Sequence, residues 1–222
     1  MSSLYSIGAM NQLGDSLENS GFSPEDITKL KQFENLKGVR DLLYGKAEIT
    51  YPGRAWREQD GVIRSSVTSD GTTGPDWIVR LEKKGYRLSD YAKSLLRSKD
   101  FQPTNGVTTE IAVLKGMLFS DSDRITKKIR ADADKRNLAK PNAEVACLIR
   151  EKLSDEELEA MGLYWIVVMH EPIKDSDGDP NLLNSNRDDD GQWLYAYYDE
   201  PDGRFNRENG FAFAVSQVSS QN

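Results

Sequence analysis

Residues 184–209 read NSNRDDDGQWLYAYYDEPDGRFNREN, and the fold turns on how this stretch is taken. Asn, Asp, Ser and Tyr make up half of it, threaded with Trp193, Phe205 and glycine. Tyr and Trp offer large, rigid contact area, while Asn, Ser and Gly offer adaptable hydrogen bonds, the composition of a recognition surface. No helical or two-residue period runs through 175–209, so the segment is expected to be a long irregular loop before a final strand at Phe211, Phe213 and Val215. Loops of that length in compact domains are functional or disordered, and the aromatic content argues against disorder.

Working toward the N-terminus, Leu163–Ile173 (LYWIVVMHEPI) predicts a buried strand. Ser154 followed by Glu157 predicts a helix opened by a capping box. Helical phase runs through Val145, Leu148, Ile149 and Leu153 and again through Ile125, Ile129 and Ala133. Val107–Phe119 reads as one or two strands, Ser89–Arg97 as a helix and Trp77–Leu81 (WIVRL) as a short strand. SSVTSDGTTGPD, within 51–75, predicts a linker or long loop. Before it, Ser23-Pro24-Glu25-Asp26 is a helix start, with Ser as cap and acids at the positive pole of the dipole. Met10, Leu13 and Leu17 share one face of an earlier short helix, and a third short helix is expected through Val39, Leu42 and Leu43, ending near Gly45. The organisation is therefore a helical segment over 1–50, a connection over 51–75 and an α+β domain over 76–222.

The net charge of −7 speaks against non-specific nucleic-acid binding. The basic stretch Arg124–Lys140 is interleaved with Asp123, Asp132 and Asp134, as on a solvated helix face. Cys147 is the single cysteine and falls in an apolar helical phase, which predicts a core position. No stretch is long and apolar enough to span a bilayer. The first residues lack a basic region followed by an apolar one, so the expectation is a cytoplasmic product, with cell-surface or virion display left open.

His170, the only histidine, stands beside Glu171 without a nucleophile motif, so it is expected to bond a strand end or loop. Asp175, Asp177 and Asp179 alternate as in a calcium loop, but Pro180 stands where glycine is needed and Asn186 where glutamate is needed. A turn built on side-chain-to-backbone bonds fits better. No cysteine–histidine cluster or phosphate-binding glycine loop occurs. No catalytic residue, metal or cofactor is expected, and the chain is read as a binding protein, not an enzyme.

The terminal segment, LLNSNRDDDGQWLYAYYDEPDGRFNRENGFAFAVSQV, resembles the variable region of proteins diversified by diversity-generating retroelements. That resemblance implies a C-type lectin-like fold that displays exchangeable positions to a protein or other macromolecular ligand. The positions implied are Asn184, Ser185, Asn186, Asp188, Asp189, Asp190, Tyr195, Tyr197, Tyr198, Asp199, Asp202, Asn206 and Asn209. Trp193, Phe211 and Phe213 are the expected structural anchors. On that reading Trp193→Ala would cost roughly 3–5 kcal/mol. Two rival readings are a calcium-assisted carbohydrate-binding module and an enzyme on a related formylglycine-generating-type fold. The N-terminal helices are too few to be stable alone and are expected to pack on the main domain, a partner or another copy, so a homo-oligomer is possible.

Overall fold

The structure is a computed structural model and describes residues 6–32, 36–46, 54–188 and 191–216. The chain divides into two compact units, 1–52 and 53–222.

The first unit holds α1 (Ile7–Asn19), α2 (Pro24–Gln32) and α3 (Leu36–Leu43). Ser6 caps α1, its hydroxyl accepting the Ala9 amide at 3.1 Å. At the expected start of α2, the Ser23 amide and hydroxyl both donate to the Asp26 carboxylate (2.9 and 2.7 Å), and Asp26 N–H donates back to the Ser23 hydroxyl. After α3, Gly45 takes a positive φ of 66°, as a helix-ending residue does.

The second unit is one ten-stranded sheet with helices on both faces. It opens with a hairpin of β1 (Trp56–Gln59) and β2 (Val62–Asp70), so the expected linker over 51–75 is instead largely sheet. The turn is Asp60-Gly61, both at positive φ (52° and 73°), the backbone that a tight hairpin demands and that Asp-Gly supplies. Trp77–Leu81, expected as a strand, lies in helix α4 (Gly74–Lys83). Thr73 caps α4, Pro75 opens it, and Trp77, Ile78 and Leu81 form its buried stripe. Next come β3 (Arg87–Leu88), α5 (Asp90–Arg97), β4 (Asn105–Lys115), a 3-10 turn at Gly116–Leu118 and α6 (Thr126–Lys135). Beyond these lie β5 (Leu138–Ala139), α7 (Val145–Lys152), α8 (Asp155–Ala160), β6 (Trp165–Val168) and β7 (Ile173–Lys174). The Ser154–Glu157 capping box opens α8 as its sequence predicts.

The expected irregular loop is mostly strand: β8 (Pro180–Asp188) and β9 (Gly191–Tyr198) form an antiparallel hairpin, and β10 (Asn209–Val215) follows. The strand order is β1-β2-β4-β10-β6-β8-β9-β3, with β5 and β7 pairing off that path. Pairing is antiparallel except for β10 with β6 and β3 with β9.

Two cores lie on opposite sides of the sheet. On the first, Trp77, Leu81, Leu95, Leu96, Cys147 and Ile149 from α4, α5 and α7 pack on Ile63, Ile111, Val168, Leu183 and Leu194. Gly74 lets α4 approach α5, since a Cβ there would meet the Leu96 carbonyl oxygen at 1.7 Å. On the second, Ile129 and Ala133 of α6 pack on Leu114, Val167, Leu182, Phe211 and Phe213. No helix among the described residues is long and apolar enough to cross a membrane.

Candidate functional site

The expected recognition residues fall on the β8–β9 hairpin and on the segment that joins it to β10. Register decides which of them meet. Asn186 lies opposite Trp165 on one side and Trp193 on the other, and Asn184 opposite Val167 and Tyr195. Cross-strand partners share a face and side chains repeat every second residue. Trp165, Asn184, Asn186, Asp188, Trp193, Tyr195 and Tyr197 therefore all project to the α6 side.

Aromatic rings continue across this face. Trp193 stacks on Tyr195 with centroids 4.9 Å apart, and Arg87 lies over the Trp193 ring at 5.3 Å. Tyr197 meets Phe205 at 4.8 Å, Phe205 meets Phe211 edge-on at 4.8 Å, and Phe211 meets Phe119 at 6.1 Å. The row runs from interior to surface: Phe205, Phe211 and Phe213 are buried, whereas Trp193, Tyr195 and Tyr197 are half-buried. Burial pushes the Tyr197 phenol above its ordinary pKa, and its hydroxyl donates to the Arg204 carbonyl at 3.3 Å. Phe205 is thus a wedge that holds the 199–208 segment against the sheet, a role its sequence context did not suggest.

Several expectations are corrected by this geometry. Phe211 and Phe213 are core anchors, but Trp193 is only half-buried and belongs to neither core, whereas its neighbour Leu194 is buried in the first. Asn184, Ser185, Asn186 and Asn209 were expected on the surface and are buried, Asn186 to 3% exposure. They lie inside because β8 and β10 are interior strands. The Ser185 hydroxyl donates to the Ala146 carbonyl at 3.3 Å, and the Asn209 carboxamide oxygen accepts the Asn206 amide at 2.7 Å. The carboxamide oxygens of Asn184 and Asn186 have no protein partner. Asp199 is drawn inward as well, to Arg130 of α6 at 3.0 Å. Tyr198 is 51% exposed but projects to the opposite face, so it does not join the aromatic row. Asp188, Asp202 and Asn206 are exposed, and Asp202 pairs with Lys127 at 2.5 Å. Asp189 and Asp190 lie outside the described residues.

Arg150 braces the hairpin from behind and is fully buried in α7. It donates to the Asn186 carbonyl at 3.0 Å, to the Leu153 carbonyl at 2.7 Å and to Asp155 at 3.1 Å. Leu153 and Asp155 are local acceptors, but the bond that ties α7 to the hairpin goes to Asn186, far along the chain. His170 does the strand-end bonding that its position predicts. Nε2 accepts the Leu183 amide at 2.9 Å and Nδ1 lies 2.6 Å from the Glu171 carbonyl. The ring is therefore neutral with its proton on Nδ1. Desolvation by burial pushes its pKa down to about 4.

One Asp175 oxygen accepts the Asp177 and Asp179 amides (2.9 and 3.0 Å), and the other accepts the Asn181 side chain (2.7 Å). This is the backbone-bonded turn the spacing suggested. Among the described residues no group of three His, Cys, Asp or Glu side chains could hold a metal ion. Cys147 is buried, and desolvation drives its thiol pKa far up, the reverse of what a nucleophile needs. A shallow cavity of about 630 Å³ lies between α5 and 174–176, lined by Asp90, Ser94, Arg97, Ser98, Lys174 and Asp175. None of these residues forms a nucleophile–base pair.

No family model, curated protein or solved structure matches the chain.

Proposed function

We propose that this protein binds a macromolecular ligand, without catalysing a reaction on it, through the outer end of the aromatic row and the exposed segment beside it. The observation that carries this reading is the stacked, half-exposed Trp193–Tyr195 pair at the surface end of a row whose inner end is wedged into the core. Rings held this way lose little entropy on binding, and aromatic side chains of this kind dominate recognition energetics. Asp188, Asp202 and Asn206 supply polar groups at the rim.

The finer form of the proposal is a retroelement-diversified protein on a C-type lectin-like frame. It is supported by the composition of 184–209. On that reading the exchangeable positions are the accessible ones, Asp188, Tyr195, Tyr198, Asp202 and Asn206, while Asn184, Asn186 and Asn209 belong to the frame. DNA beside the gene should hold a near-copy of the coding segment, differing mainly at adenines in those codons.

Binding is tested by screening the immobilised chain against arrays of purified proteins and glycans. Each ligand found should lose about tenfold in affinity or more on Tyr195→Ala, roughly 1.4 kcal/mol, with the unfolding midpoint little changed. Ligands indifferent to both Tyr195→Ala and Asn206→Ala would end the proposal.

A further inference from the structure

In an antiparallel ladder the backbone N–H and C=O of one residue point together, toward the partner strand and away from it in turn. The Leu194 carbonyl accepts the Ser89 amide at 3.1 Å, so the even residues of β9 aim their backbone groups outward, away from β8. The β8 side agrees. Leu183 lies opposite Ala196, and its amide turns away from β9 to His170 Nε2 at 2.9 Å. On the outward side β3 pairs with β9 in parallel over Trp193 and Leu194 alone. At Ser89, the cap of α5, the chain leaves the sheet. The Tyr198 carbonyl accepts the Glu200 amide at 3.1 Å. Among the described residues nothing pairs with the outward N–H and C=O of Ala196 or with the N–H of Tyr198.

Exposed edges are ordinarily blunted by charge, proline, a bulge or a covering element. The far edge of the sheet follows that rule, with Arg57 and Glu58 in the four-residue β1. The β9 strand, GQWLYAYY, carries no charged residue and no proline, and its register with β8 is unbroken from Gly191 to Tyr198.

The open groups select the occupant. Outward N–H and C=O groups at the spacing of a strand are matched by another extended backbone. Side chains of an added strand fall beside those of β9: Tyr195 and Tyr197, half-buried, on the α6 side, and Tyr198, 51% exposed, on the other. Large rings favour aromatic and β-branched neighbours across a strand pair. A second copy is a poorer match. Its own β9 would meet this one antiparallel over 196–198 alone, with the β3 of each copy standing against residue 200 of the other.

Resting on the reading of the Trp193–Tyr195 face as a binding surface, we propose that the ligand is engaged through an extended peptide segment of a partner protein. That segment adds as a strand to the open edge of β9 at Ala196–Tyr198, with aromatic or β-branched side chains beside Tyr195 and Tyr197.

The test is to pan a library of short linear peptides against the immobilised full chain and to measure the selected peptides by fluorescence anisotropy. Ala196→Pro is the deciding variant. It removes an N–H that faces away from β8, a place where an edge strand tolerates proline. The unfolding midpoint should change little while affinity falls by about tenfold or more. Methylating the peptide's backbone nitrogens one at a time should weaken binding at alternate positions only, which decides the matter if Ala196→Pro fails to fold. Amide exchange in the free chain should be fast at Ala196 and slow at Tyr195 and Tyr197, whose amides face β8, and peptide should slow it at Ala196. Peptides that lose affinity on Tyr195→Ala yet tolerate Ala196→Pro and every single methylation overturn strand addition and leave the binding face standing. A library without binders overturns it as well, as does a dimer that protects the Ala196 amide with no peptide present. Peptides indifferent to Tyr195→Ala, Asn206→Ala and Ala196→Pro alike end both readings.

Discussion

The two arms of the β8–β9 hairpin are both rich in polar side chains, yet the fold treats them oppositely. β8, PNLLNSNRD, lies between β6 and β9 and is buried over most of its length. β9, GQWLYAYY, has only the two-residue β3 on its outer side and stays half-exposed. Exposure follows place in the strand order rather than side-chain polarity. The interior arm carries a cost, since buried carboxamide oxygens without partners sacrifice hydration for nothing in return. The outer arm keeps its rings available.

The sharpest way to break this contrast is to remove the brace behind β8. Arg150→Ala leaves the Asn186 and Leu153 carbonyls and Asp155 without their donor and should destabilise the main unit by about 3–5 kcal/mol in urea unfolding. A loss below about 1 kcal/mol would show that β8 holds its place without Arg150.

The next effect is on pH. The folded His170 pKa, about 4, lies below its ordinary 6.5, so between these values the unfolded chain binds the extra proton. The stabilisation is whole above about pH 6.5 and is lost as pH falls through about 4, up to roughly 3 kcal/mol. Urea titrations of wild type and His170→Asn across that window should converge as pH falls. Parallel curves would remove His170 as the cause.

On the outer arm the effects should be smaller. Trp193→Ala should cost about 1–2 kcal/mol, because the ring is half-buried and stacked rather than enclosed. A loss at the 3–5 kcal/mol level would restore the anchor role that its sequence context suggested. Last, Asn184→Val should raise stability by about 1 kcal/mol, since it removes an unpartnered buried group from an interior strand. A loss of similar size would mean that the Asn184 carboxamide is satisfied in solution.

Much of the frame was legible from local chemistry. The Ser23 and Ser154 caps, the α5, α6 and α7 stripes, the buried strand near Trp165 and the bonding role of His170 each depend on residues close in sequence. The β1–β2 hairpin was not legible, because the Ser, Thr and Gly after its Asp60-Gly61 turn gave 51–75 the composition of a linker. Nor was the β8–β9 hairpin. A strand with both faces covered shows no two-residue alternation, and the asparagines in its middle imitate a loop. Trp77–Leu81 misled for the opposite reason, being β-rich in composition but capped as a helix by Thr73. In the candidate site, Tyr195 and Tyr197 stood out by residue type, whereas Arg130 depends on Asp199 and Arg150 on the Asn186 carbonyl, both far along the chain, and Phe205 on rings of β9 and β10 that only the fold brings together.

The strand order also has a consequence for synthesis. β4 and β6 share no neighbour except β10, the last strand in the described chain. Until residues 209–215 leave the ribosome, one half-sheet built around β2 and β4 and another built around β8 and β9 each present a bare inner edge. The β4 edge therefore stays open for stray pairing from residue 115 onward, the β6 edge joins it once 165–168 is made, and both close together when one seven-residue segment slides between them.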